Sequence, residues 1–321
     1  MGGRSPSRNH LQGVIFMTKK EYSYPSKTGV CEIYGCAYLP EEYDTVLVIN
    51  HGMAEHQERY LGFIEYLNNN GVAVYMHDMA NHGKSNKDFG DSGWFGEKDG
   101  WKGLIDDLKE SFDVAKFENP DKKLVVMGHS MGSFICRCFT ALYPNEGFAG
   151  AIYMGTGDEN PIAGIGLKAA GLVAKIKGTK HKSKTLDKMS FSSYGKGFEG
   201  RTNFDWLTRD TAIVDKYIAD DYCGFLFSAQ GMQDLVKLNI EANTPQWYAT
   251  VPKDLNILLI SGEKDPVGPQ AKGINNIGKK LLDSGHTSVT VKIYPDCRHE
   301  ILNELNRDEV MEDIVQWIKA L

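Results

Sequence analysis

Residues 128–132 read Gly128-His129-Ser130-Met131-Gly132, between an apolar run at 123–127 and a helical pattern at 133–142. This context constrains the chain more than any other segment does. A strand that stops at a tight turn, with a serine at the tip and a helix behind it, forms a nucleophile elbow. Gly128 and Gly132 lack Cβ atoms, so the chain bends sharply and strand and helix close together. The pentapeptide alone is common. Flanked by a strand and a helix, it points to a serine held out on a strained corner.

The rest of the chain fits a mostly parallel sheet, because apolar runs alternate with helical patterns. Residues 21–39 read as a β-hairpin, an antiparallel start to the sheet. Strands are expected at 45–50, 72–77, 123–127, 148–154, 255–261 and 288–294, and helices at 57–68, 103–117, 133–142, 270–282 and 308–321. Between 154 and 255 this rhythm breaks, and a structureless loop of that length is implausible in a compact domain. We therefore expect an inserted helical lid at 157–250, dividing a core made of 17–156 and 251–321. Inside it Ile162, Ile165, Ala169, Leu172, Val173 and Ile176 recur at helical spacing, with Lys168, Lys175 and Lys177 off that stripe. Phe204, Trp206, Phe225, Leu226, Phe227 and Met232 are expected mostly to pack the lid onto the body, with a few lining a tunnel.

Bulk properties exclude several classes. A net charge of −6 argues against a nucleic-acid partner, which requires a basic stripe. No apolar stretch has the length of a membrane span. The six cysteines form no Cys-x-x-Cys pair and no zinc-type spacing with histidine, which suggests reduced, structural thiols in a cytoplasmic protein. Residues 1–16 are polar and lack a signal-peptide core, and Met17 resembles a second start, so this stretch reads as an extension irrelevant to the fold.

A serine nucleophile needs a base, an orienting carboxylate and an oxyanion hole. In this class of sheet the order along the chain is Ser, then Asp or Glu, then His. Asp265 follows the strand at 255–261 and His299 follows the strand at 288–294, so both emerge at the carboxyl edge where the elbow ends. Ser130, Asp265 and His299 are the expected triad. Asp296, on the histidine loop itself, and Glu263 rank below Asp265. The loop His51-Gly52-Met53 follows the strand at 45–50, and the amides of Met53 and Met131 are the expected oxyanion donors.

The run from His51 to Tyr60, the elbow, and the Asp265 and His299 loops together resemble the monoacylglycerol lipase and lysophospholipase branch of the α/β-hydrolases, which also includes serine aminopeptidase S33-type chains. The resemblance runs from about Tyr24 to the C-terminus, and the stretch Arg201 to Asp210 with Cys223-Gly224-Phe225 resembles bacterial members. The Gly-His-Gly-x-Ser loop of that branch stands here as Asn81-His82-Gly83-Lys84-Ser85, without its first glycine. The resemblance implies an eight-stranded, mostly parallel sheet with a helical lid. It also implies hydrolysis of monoacylglycerol, lysophospholipid or similar esters through an acyl-enzyme, without metal or organic cofactor. Glu55, Arg59, His129 and Tyr194 are implied as holders of a glycerol-like leaving group, although Glu55 and Arg59 read equally well as an internal ion pair. The lysine-rich lid helix allows weak peripheral contact with an anionic membrane, against a simple solvated lysine face. Two further readings stay open: a proline-iminopeptidase-like peptidase holding an amine with Asp158 and Glu159, and a non-catalytic binding protein on the same fold.

Overall fold

The computed structural model describes residues 17–321, so the reading of 1–16 as an extension lies outside the described residues. The sheet begins with an antiparallel pair, β1 (Thr18–Pro25) and β2 (Glu32–Leu39), followed by β3 (Thr45–Asn50). Helix α1 (Leu61–Asn69) leads to β4 (Val72–His77), and α2 (Gly100–Glu118) leads to β5 (Lys123–His129). Then come α3 (Met131–Leu142) and β6 (Gly150–Met154). An inserted segment carries α4 (Ala163–Lys177), α5 (Lys184–Phe191), α6 (Thr211–Ala219), α7 (Ala229–Glu241) and α8 (Pro245–Thr250). The chain returns through β7 (Asn256–Gly262), α9 (Lys272–Asp283), β8 (Val289–Tyr294) and α10 (Arg307–Lys319).

The eight strands form one sheet in the order β1-β2-β4-β3-β5-β6-β7-β8, antiparallel at the β1/β2 and β2/β4 pairs and parallel elsewhere. Every residue of β3, β4 and β6 is buried, which is why these strands read as unbroken apolar runs rather than alternating ones. One face of the sheet is covered by Leu104, Leu108, Ile135, Phe139, Ile274 and Ile277 of α2, α3 and α9. The other is covered by Phe63, Ile64 and Leu67 of α1 and by Val310, Ile314 and Ile318 of α10. Pairing places Asn50 beside Gly128, His129 beside Met154, Met154 beside Ile260 and Gly262 beside Tyr294. The carboxyl ends of five strands therefore share one edge.

One expectation is sharpened and one corrected. The apolar stripe of α4 exists but is split: Ile162, Ile165, Leu172 and Ile176 are 63%, 66%, 58% and 70% exposed, while Ala169 and Val173 are half-buried against the core. The buried residues of α4 are Ala163, Ala170 and Ala174, and α4 packs against α7, which such small side chains let it approach closely. The aromatic and aliphatic residues of the segment also divide differently from the expectation. Phe204, Trp206, Phe225, Leu226 and Met232 line the cavity described below, and among these six only Phe227 is given over wholly to packing, against Phe95 and His82.

The Asn81 loop is held without the glycine. Asn81 adopts φ 53°, the left-handed region, which asparagine tolerates better than other non-glycine residues. Its side-chain amide donates to Trp94 O at 2.6 Å, which fixes the turn.

Candidate active site

Ser130 sits at the end of β5 with φ 54° and ψ −122°, a conformation rarely populated by L-residues that costs on the order of 1–3 kcal/mol. Its surroundings hold it there. The Ser130 amide donates to Met154 O at 2.9 Å, and Ser130 O accepts from the Ser133 amide at 2.9 Å and the Ser133 hydroxyl at 2.5 Å. The flanking glycines are required by contact as well as by conformation. A Cβ on Gly128 would lie 2.2 Å from Gly132 O, and one on Gly132 would lie 2.3 Å from Asn50 O and His51 O. The same closeness sets the start of α3 against the loop after β3.

Asp265 and His299 meet across two loops, with His299 Nδ1 2.9 Å from Asp265 Oδ1 and both side chains buried. The carboxylate is oriented by the end of β7 and the loop that follows it: Ser261 Oγ donates to Oδ2 at 3.1 Å, and the Val267 amide donates to Oδ1 at 2.9 Å. An acceptor at Nδ1 places the ring hydrogen there and leaves Nε2 free as a base. The competing carboxylates are occupied elsewhere, Asp296 with Lys264 at 2.7 Å and Glu263 with the Asp296 amide at 3.0 Å. Ser130 and His299 line one cavity of about 1420 Å³, and no hydrogen bond joins them among the described residues. Unliganded hydrolytic sites often tighten that contact only with substrate present.

Met53 and Met131 line the same cavity. Among the described residues, neither backbone amide donates to a protein acceptor. Two histidines brace the Met53 loop, a role the sequence alone did not suggest. His51 Nε2 accepts from the Met79 amide at 2.9 Å while Nδ1 donates to Gly52 O at 2.8 Å. His82 Nε2 accepts from the Ala54 amide at 3.3 Å while Nδ1 donates to Ala80 O at 3.0 Å. Burial pushes His51 down to about 4 and His82 down to about 3, so both rings stay neutral and keep the lone pairs these contacts need.

Glu55, Arg59 and His129 form a buried charge cluster with Glu300, which sequence reasoning missed. Arg59 Nη1 donates to Glu55 Oε2 at 2.5 Å and to Glu300 Oε1 at 2.7 Å, and Nη2 donates to Glu300 Oε2 at 2.6 Å. The guanidinium also lies over the Tyr217 ring at 4.8 Å. Glu55 Oε1 accepts from the Gly52 amide at 2.6 Å and Tyr60 Oη at 2.9 Å. Burial opposes the Glu55 charge, yet Arg59 and His129 hold its carboxyl well below the usual range. His129 has Nδ1 3.2 Å from Glu55 Oε1 and Nε2 3.3 Å from His299 O, so only a doubly protonated ring satisfies both. Burial works against that charge, and the Glu55 contact overcomes it and raises the imidazole above its ordinary value. Arg59 and Glu55 thus make an internal ion pair. Glu55 and His129 also border the cavity.

The inserted segment supplies the rest of the wall. Trp206 packs on the His299 ring at 5.1 Å, Trp206 O accepts from the His299 amide at 3.4 Å, and Leu207 O accepts from the Glu300 amide at 2.7 Å. Arg298 reaches the carbonyls of Asp205 and Thr208 and pairs with Glu199. Tyr194 lines the cavity edge-on to Trp206 at 5.1 Å, and burial raises its phenol to about 12. Asp158 and Glu159 both border the cavity, and Asp158 is paired with Lys280 at 2.9 Å.

Comparison with known proteins agrees with this architecture. The family described as serine aminopeptidase, S33, matches residues 41–306. A monoacylglycerol lipase of Mycolicibacterium smegmatis is 26% identical over 310 residues, covering 95% of this chain and 99% of the relative. A monoglyceride lipase of Mus musculus is 22% identical over 280 residues, covering 85% and 82%. A thermostable carboxyl esterase from Bacillus coagulans, solved in complex with glycerol, superposes with a TM-score of 0.89 at 28% identity, covering 95% of this chain and 99% of that one. The fold is that of the α/β-hydrolases.

Proposed function

We propose, from the premise that the chain belongs to the serine aminopeptidase, S33, family, that it is a serine carboxylesterase cleaving monoacylglycerol, lysophospholipid or similar single-chain esters. That it is a hydrolase acting on esters, in the monoacylglycerol lipase-like branch, follows from its relatives. The observation that carries the serine mechanism is the buried His299–Asp265 pair at 2.9 Å, set in one cavity with a strained Ser130.

In this reading His299 Nε2 takes the Ser130 proton as Oγ attacks the ester carbonyl. Asp265 keeps the other ring hydrogen on Nδ1 and stabilises the imidazolium that forms. The negative oxygen rests between the Met53 and Met131 amides, each such donor contributing about 3 kcal/mol to the transition state. His299 then returns its proton to the departing alcohol, and a water activated by the same ring releases the acid. The cavity is far larger than a glycerol moiety and is walled by Phe134, Leu186, Phe225, Met232 and Leu235, which suits an acyl chain. On the polar side Glu55 and His129 border the cavity, with Arg59 held behind them by its two carboxylates, and Tyr194 lines the cavity edge-on to Trp206. The leaving alcohol is assigned to that side.

Residues 157–250 act as the lid. The outward stripe of Ile165, Leu172 and Ile176, with exposed Lys168, Lys175 and Lys177 beside it, suits contact with an anionic lipid surface, and Ile162 and Ile165 also reach the cavity rim. None of the described helices is long and apolar enough to cross a membrane, so this contact is peripheral. With six unpaired cysteines, five of them buried, a reducing cytoplasmic setting is the expected one.

The deciding experiment follows hydrolysis of p-nitrophenyl esters from acetate to palmitate and of 1-monoacylglycerols, with wild type beside Ser130→Ala. A fluorophosphonate label on intact protein is read by mass alongside. Turnover and labelling of wild type, both lost in Ser130→Ala, are expected. Turnover of aminoacyl anilides in place of esters favours the peptidase reading, which the Asp158–Lys280 pair opposes by occupying one of the two carboxylates an amine would need. Inertness toward every substrate together with absence of labelling leaves a binding role.

A further inference from the structure

The turn after α6 crosses the loop that carries Met53, and three metal-ligating side chains meet at the crossing. His56 Nε2 lies 2.9 Å from Asp220 Oδ2, and the ligand atoms of His56, Asp220 and Cys223 all fall within 4.8 Å of one another. Imidazole nitrogen, carboxylate oxygen and thiol sulfur together are a donor set suited to zinc and cobalt(II) and poorly suited to magnesium or calcium. We propose that His56, Asp220 and Cys223 bind one zinc-like divalent cation, which fastens the inserted segment to the Met53 loop.

The backbone already holds these ligands in place. The Cys223 amide donates to Asp220 O at 2.9 Å, closing a turn that sets the two side chains on one side. The Tyr222 amide donates to Asp220 Oδ1 at 2.9 Å, which leaves Oδ2 turned toward His56. The turn is tied to the core by the Gly224 amide and Tyr217 Oη, which donate to Ala54 O at 3.0 and 2.9 Å. His56 and Cys223 are buried, and the half-exposed Asp220 provides a route from solvent. The nearby Arg59 does not repel a cation strongly, because Glu55 and Glu300 bracket its charge. Three protein ligands leave the fourth tetrahedral position to water.

The Cys223 Sγ–H bond breaks, a metal–sulfur bond forms, and the thiol proton leaves to solvent. The neutral His56 ring carries its hydrogen on Nδ1 so that the Nε2 lone pair reaches the metal, and Asp220 binds as the carboxylate. No redox step occurs. The site does not depend on the esterase reading, since none of its three residues belongs to the proposed triad or oxyanion hole.

The test uses the full chain, stripped with a chelator and desalted under reducing conditions. Cobalt(II) is titrated while the thiolate-to-cobalt charge-transfer absorption is followed, and zinc binding is measured by equilibrium dialysis. The expected result is one equivalent of metal, a charge-transfer band lost in Cys223→Ser and in Cys223→Ala, and zinc affinity reduced at least about tenfold in His56→Gln and in Asp220→Asn. Zinc should also raise the thermal midpoint of wild type and leave that of Cys223→Ser unmoved, with metal-free midpoints confirming that each variant folds. Absence of the band overturns the proposal. So does a band that survives both Cys223 variants, or zinc affinity unchanged in His56→Gln and Asp220→Asn.

Discussion

The two walls of the cavity are built on different rules. On the sheet side, polar groups are held by short, mutually dependent contacts: Asp265 by Ser261 and Val267, Glu55 by Gly52, Tyr60 and Arg59, and the Met53 loop by His51 and His82. On the inserted side, aromatic and aliphatic groups face the cavity, and helix α4 turns its larger apolar residues to solvent. Fixed geometry belongs to the first wall and adaptable shape to the second. Chemistry that needs sub-ångström placement is served by the wall whose every loop is tied to a strand end. In the proposed function, substrate range and surface contact fall to the other wall, whose side chains are apolar and differ widely in size.

Substitutions test this contrast, and the largest effects are expected on the sheet side. Ser130→Ala should lower kcat/KM toward p-nitrophenyl butyrate at least about a thousandfold with an unchanged thermal midpoint. A small loss would move the nucleophile elsewhere. Arg59→Met strands Glu55 and Glu300 as buried charges without their cation and should cost about 3–5 kcal/mol in urea unfolding. A cost under about 1 kcal/mol would mean that the cluster is wetter and looser than its contacts imply.

A gain is expected at His77. This ring is fully buried with neither nitrogen bonded to protein, and burial pushes it down to about 3. His77→Phe should therefore stabilise by about 1–3 kcal/mol at pH 7.5. The sign of the pH effect follows from the depressed value: the histidine's contribution is full above its unfolded pKa near 6.5 and is lost as pH falls toward 3. The advantage of His77→Phe over wild type should widen by about 1.4 kcal/mol per pH unit between roughly pH 6 and 4. A constant gap in denaturation curves across that range refutes the account.

Asn81→Ala should cost about 1–2 kcal/mol through its left-handed φ and the lost bond to Trp94 O, and Asn81→Gly less, since glycine relieves the first and not the second. The smallest effect on stability should come from the inserted segment. Replacing Ile165, Leu172 and Ile176 by serine should alter unfolding free energy by less than about 0.5 kcal/mol per site. The same triple variant should sediment less with vesicles containing anionic lipid. If it unfolds readily instead, the stripe is part of a packed surface and the contrast between the walls fails.

The central parallel strands were legible because burial on both faces removes polar residues from them, the edge strand β8 because its apolar residues alternate with Thr290 and Lys292, and the loops bearing Ser130, Asp265 and His299 because each follows such a strand. The direction of the α4 stripe was not legible. Helical spacing says that one face is apolar, and it carries no information about which face meets α7. Nor was the partner of Arg59, since Glu300 lies 241 positions away and only the loops after β3 and β8 bring them together.

The sequence by itself determined the order of strands and helices, the elbow, and which loops leave the carboxyl edge of the sheet. These are local matters, set by burial period and turn chemistry within a few residues. Tertiary structure alone decided that Arg59 is clamped between Glu55 and Glu300, that His129 bridges Glu55 and the His299 carbonyl, and that His56 meets Asp220 and Cys223. Those pairings join segments distant along the chain. Their partners are selected by sheet register and by how the inserted helices settle on the core, and spacing along the sequence encodes neither.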